Sequence, residues 1–153
     1  MHTKKNLSLT VAALVMFAAA ALHVVALLAG PGMIAALGAP DSVVQSARQG
    51  TMLAPLVILG IAAALAGLGF YALSGAGRVR RLPFLRVVLG AAACIFFLRA
   101  LALPAVLLMV AGAREQLTPF EIYTALLCFL IGMAFLPGLG RQAQTSPRVR
   151  AQT

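Results

Sequence analysis

The chain has 153 residues, of which 62% are hydrophobic and only 10% charged, with a mean hydropathy of +1.01. Soluble domains are about a quarter charged, and a water-soluble core of this size could not hide so much apolar surface. The formal charge of +9 would suit a nucleic-acid binder if the basic residues shared one soluble face. They lie between apolar stretches instead, so nucleic acid is set aside as a partner and membrane lipid takes its place.

Four stretches approach the roughly 20 residues that cross a bilayer. The first covers 7–28, the second 52–73, the third 84–110, and the fourth, shortest, 120–136. His2, Lys4 and Lys5 ahead of an Ala-rich run resemble the start of a signal peptide. The run continues through Val24, Val25, Leu27 and Leu28, beyond a typical signal core, so a retained first helix is expected. Gly30-Pro31-Gly32, Gly75-Ala76-Gly77 with Pro83, Gly112, and Pro137-Gly138 mark the four helix ends. Residues 137–153 read as a flexible basic tail. With no repeat and no second composition regime, 1–153 is expected to be a single membrane domain, an all-α four-helix transmembrane bundle.

Charge orients these spans. Lys4, Lys5, Arg78, Arg80, Arg81, Arg86, Arg141, Arg148 and Arg150, nine of the twelve basic residues, fall on one side. The other side has Arg48 and Arg114 together with all three acids, Asp41, Glu115 and Glu121. The positive-inside rule then predicts both termini in the cytoplasm, and the arginines of the second connection should touch anionic headgroups.

The first connection, 29–51, is the longest. Pro40-Asp41-Ser42 followed by Val43, Val44, Gln45 and Ala47 predicts a short helix, with Ser42 and Gln45 at capping-box spacing. Met33, Ile34 and Leu37 make the preceding part apolar. A segment covering the outer mouth of the bundle and an ordinary surface loop both fit this pattern. In the second and third spans, Gly60, Ala64, Gly67, Gly69, Gly90 and Ala91 would let helix backbones approach closely, within the bundle or between copies.

Arg99 is the only formal charge deep inside the long apolar stretches, away from their ends. A guanidinium at that depth needs a partner or a purpose. Counting along the third span places it roughly 16 Å below the outer helix end, with the side chain leaning inward along its helix. Pro104 cannot donate to the carbonyl of Ala100, so a polar spot is expected next to Arg99. His23 reaches a similar depth from the first span and is the leading neighbour, either as a packing residue or as part of a site.

Glu121 is the obvious salt-bridge partner for Arg99. Thr118-Pro119-Phe120-Glu121 forms a T-x-x-E capping box with Pro at the first helical position, which gives Glu121 a role in capping the fourth helix. It stays in the candidate ligand-binding set with Arg99 and His23, because a cap residue can also face a site.

Enzyme and transport motifs are missing: there is no Gly-rich phosphate loop, zinc pattern, nucleophile elbow or pair of intramembrane carboxylates. A four-helix drug antiporter of the small multidrug class depends on a first-helix glutamate, and this chain has none. Cys94 and Cys128 are too far apart in depth to bridge and read as packing residues. No catalytic residue, metal or cofactor is expected.

Gly38-Ala39-Pro40-Asp41, Tyr71-Ala72-Leu73-Ser74-Gly75-Ala76-Gly77, Arg80-Arg81-Leu82-Pro83 and the Leu98-Arg99 pair resemble small uncharacterised four-helix inner-membrane proteins of Gram-negative bacteria. The resemblance implies a multi-pass protein of the bacterial inner membrane and carries no activity. Two functions remain open. One is a non-enzymatic accessory or partner-binding subunit that contacts a membrane protein or a second copy. The other is a binder or carrier of an anionic lipid or small molecule that uses Arg99 as its charge clamp.

Overall fold

The computed structural model describes residues 7–109 and 119–143, and these are helical apart from turns and short connections. Six helices occur among them: α1 (Leu7–Ala29), α2 (Pro31–Ala36), α3 (Asp41–Gln49), α4 (Leu53–Gly75), α5 (Leu85–Met109) and α6 (Pro119–Ala143). Three segments are long and apolar enough to cross a membrane, Leu7–Ala29, Leu53–Gly75 and Leu85–Ala102, and a shorter apolar helix covers Glu121–Leu136. In their apolar windows only 28, 22 and 22% is buried within the chain. Much of the remainder is exposed hydrocarbon, such as Leu14, Leu56 and Leu98, which a lipid solvent accommodates and water does not.

α1 lies along α4 and α5 along α6, while α4 with α5 and α1 with α6 make lighter contacts. The long helices thus have two ends. At the basic end, α1 begins, α4 passes through the connection containing Arg78, Arg80 and Arg81 into α5, and α6 finishes. At the loop end, α1 passes through α2 and α3 into α4.

The larger core lies toward the basic end. Leu9, Ala13 and Met16 of α1 meet Ala72 of α4, Leu85, Leu89, Ala92 and Ala93 of α5, and Ile131 and Phe135 of α6. Glycine sets the closest approaches. A Cβ on Gly69 would stand 2.9 Å from the Phe17 ring, and one on Gly132 would stand 3.1 Å from Phe97. Gly60 and Gly67, also expected to pack, have no neighbour within 4 Å of such a position. Buried Ser74 fixes the basic connection: its hydroxyl donates to the carbonyl of Arg80 at 3.1 Å and accepts the Leu82 N–H at 2.9 Å. Arg78, Arg80, Arg81 and Arg86 all remain exposed.

A second core at the loop end joins Ala26, Ile34, Val43, Val44, Ala54 and Ile58, from α1 to α4 alone. Gly30, with φ 95°, lets the chain break sharply out of α1, and Pro31 starts α2 at a position where a helix needs no N–H. α3 ends on Gly50 in the left-handed conformation. Buried Ser46 ties α3 to α4: its hydroxyl accepts the Ala54 N–H at 2.9 Å and lies 2.7 Å from the Thr51 hydroxyl.

Three local expectations change. The helix expected after Pro40 forms, but it opens at Asp41 with Pro40 at the cap and no side-chain cap bond, so Ser42 and Gln45 do not act as a capping box. Asp41 in the first turn meets the positive helix end in their place. The apolar stretch before it includes the separate helix α2. Finally, Pro137-Gly138 does not stop the fourth helix, which continues to Ala143, so the segment 137–143 is not tail. Proline removes only its own N–H, and residues beyond it can still donate to carbonyls one turn back. Lys4, Lys5, Gly112, Arg114, Glu115, Thr118, Arg148 and Arg150 lie outside the described residues.

Candidate functional site

A half-open cavity of about 330 Å³ lies between the loop-end core and α5. α1 supplies His23 and Ala26, α4 supplies Val57, Ile58 and Ile61, and α5 supplies Arg99. Ile34 of α2, the connection Leu37-Gly38-Ala39-Pro40 and Val43 of α3 complete the wall. The first connection therefore forms part of the cavity wall. A smaller pocket of about 140 Å³ shares Ile34 and is bounded by Pro31, Thr51 and Pro55, with no ionisable side chain.

The cavity's ionisable groups are Arg99 and His23, which the sequence singled out, and the structure brings them to one space. Arg99 is exposed, and no hydrogen bond or ion pair ties it to a described residue. Its five guanidinium N–H groups are donors only and stay charged, so the arrangement favours an anionic acceptor. Pro104 sits inside α5, and with no N–H it leaves the carbonyl of Ala100 beside Arg99 without its usual helical donor.

His23 is half-buried, and its Nδ1 lies 2.8 Å from the carbonyl oxygen of Ala19, one turn back in α1. A carbonyl oxygen only accepts, so Nδ1 carries the proton of this bond. The bond fixes both the ring orientation and the tautomer: in the neutral ring, Nε2 is an acceptor. One cavity thus combines a fixed cation and a hydrogen-bond acceptor on otherwise apolar walls.

Glu121 does not line the cavity. It lies in the first turn of α6, which begins at Pro119, and its carbonyl oxygen accepts the Thr124 hydroxyl at 3.0 Å. A carboxylate in the first turn complements the helix dipole, while Thr118, the other half of its expected capping box, lies outside the described residues. Cys94 and Cys128 are free thiols. Among the described residues no group of three or more metal-ligating side chains occurs.

Sequence reasoning missed most of the apolar wall. Val57, Ile58 and Ile61 are ordinary residues of an apolar span, and nothing local marks them as lining a cavity. Ile34 and Leu37 did carry a signal, an apolar run too short to cross a bilayer but placed beside a span. Comparison with protein-family models, curated proteins and solved structures gives no match.

Proposed function

We propose that this chain is a four-helix protein of the bacterial inner membrane, with both termini in the cytoplasm, that binds an anionic ligand in its outer half. The observation that carries this reading is the cavity shared by Arg99 and His23. A guanidinium kept only for structure would be satisfied by neighbouring groups, whereas Arg99 has no such tie among the described residues. Arg99 instead lines a space of the size small ligands use, roughly 300 Å³ or more. The apolar walls would hold the uncharged part of the ligand and Arg99 its acid. The basic connection at Arg78, Arg80, Arg81 and Arg86 supports the proposed orientation through the positive-inside rule.

Mass spectrometry of the protein purified in mild detergent tests the binding reading. The wild-type chain should carry an anionic lipid or small acid, and an equally helical and monodisperse R99L should lose it. Equal retention by both, or co-purification of a protein partner with no bound acid, would favour the accessory-subunit function. Orientation is tested in a Cys94→Ala, Cys128→Ala background. A thiol reagent that cannot cross the membrane should label Asp41→Cys and spare Val79→Cys in intact cells.

A further inference from the structure

The two polar groups of the cavity ask for different things of one ligand. Arg99 offers donors and positive charge, while Nε2 of the neutral His23 ring offers a lone pair, because Nδ1 is committed to the Ala19 carbonyl. A plain carboxylate or a phosphodiester without hydroxyls satisfies only Arg99. It leaves the imidazole lone pair facing a desolvated ligand, which weakens binding. Satisfying both requires an anionic oxygen and, a few bonds away, an O–H donor.

Volume limits what else can enter. A sphere of the cavity's 330 Å³ is about 9 Å across, enough for a polyol phosphate with hydrogen bonds of about 3 Å to each wall. Two long acyl chains occupy far more than that. They would have to lie outside the cavity, and the surface there is suited to them. Ile61, which lines the cavity, is 43% exposed, and Leu98, next to Arg99 on α5, is 69% exposed. Apolar side chains open to the bilayer thus lie in and next to the cavity wall that holds Arg99.

Building on the anionic-ligand reading above, we infer that the cavity receives the headgroup of a hydroxyl-bearing anionic phospholipid: its phosphodiester on Arg99, a headgroup hydroxyl donating to His23 Nε2, and its acyl chains along Ile61 and Leu98. The shared chemistry, an anionic oxygen with a neighbouring hydroxyl, also occurs in soluble polyol phosphates. The apolar exit beside Arg99 favours the lipid.

Three lipids with identical acyl chains separate the contributions. Phosphatidylglycerol has the charge and the hydroxyls, phosphatidylethanol has the charge without them, and phosphatidylcholine has no net charge. The full chain is placed in bilayers containing equal amounts of each, extracted in mild detergent, and its retained lipid measured by native mass spectrometry. Phosphatidylglycerol should exceed phosphatidylethanol about tenfold, the factor expected when one hydrogen bond to a partly desolvated acceptor is lost.

H23F should erase that preference while both anionic lipids still exceed phosphatidylcholine, and R99L should erase the preference for charge. Equal retention of phosphatidylglycerol and phosphatidylethanol by the wild-type chain would overturn the hydroxyl assignment and leave anion binding standing. Equal retention of all three would overturn both. Because these comparisons use the unaltered protein, they hold even where a variant fails to fold. Glycerol phosphate is then added as a soluble competitor. Unchanged lipid retention supports the lipid ligand, and displacement overturns it in favour of a soluble polyol phosphate.

Discussion

The two ends of the helices are built by different rules. Toward the basic end, all four long helices contribute to one core, with Phe135 and Leu89 completely buried and aromatic rings seated against glycines, Phe17 on Gly69 and Phe97 on Gly132. At the loop end, the described core comes from α1 to α4, and the meeting with α5 is a cavity walled in part by Arg99. The difference shows where packing holds the molecule together and where room is left for something else. In lipid, apolar side chains gain little from leaving the solvent, so close van der Waals contact has to supply cohesion. A half of the molecule that gives up such contact, and places its only deep charge there, is the half to search for a ligand.

The sharpest test of this contrast removes packing at the basic end. Phe135→Ala, which also removes the ring stacked on Phe96 at 6.0 Å, should lower stability by about 3 kcal/mol, measured by unfolding in mixed detergent. A loss below about 1 kcal/mol would mean that this core is not the structural half. Next in size is Gly69→Ala. The added methyl would press on the Phe17 ring and cost about 1–2 kcal/mol. Its control, Gly60→Ala, meets nothing within 4 Å and should be neutral or slightly stabilising, since alanine favours helix.

Ser46→Ala tests the attachment of α3, which supplies part of the cavity wall. It removes the acceptor of the Ala54 N–H and should cost about 1 kcal/mol. The effect should concentrate at the loop end, seen as faster hydrogen exchange in α3 than at Leu89 or Ala92. The smallest stability change is expected for Arg99→Leu, within about 0.5 kcal/mol of zero or stabilising, together with loss of the retained anion. A large loss of folding in that variant would move Arg99 to the structural side of the comparison.

Arg99 and His23 could be picked out in the sequence because a polar group in an apolar run is conspicuous at any position, and counting residues gave both similar depths. Their sharing of a cavity could not be read this way. Depth along a helix says nothing about rotation around the bundle or about which helices are neighbours. Glu121 illustrates the converse. Its cap pattern was local and placed it correctly in the first turn of α6, whereas its membership of the site depended on helix arrangement, and it does not line the cavity. The small residues divide in the same manner: Gly69 meets an aromatic ring while Gly60 and Gly67, on the same helix, face open space. Spacing alone could not separate them.

The chain by itself determined its solvent and its segments. Runs of about 20 apolar residues specify helices suited to a bilayer, because every backbone polar group must be satisfied within the segment. The clustering of arginine set an expected orientation, and the glycine and proline junctions located the ends of α1 and α4, each through constraints acting over a few residues. The tertiary structure alone decided that α2 and the Leu37–Pro40 connection help wall a cavity, that the large core lies toward the basic end, and that Arg99 and His23 line the same space. Those outcomes depend on side chains distant in sequence filling or failing to fill the same space, and no local pattern encodes that.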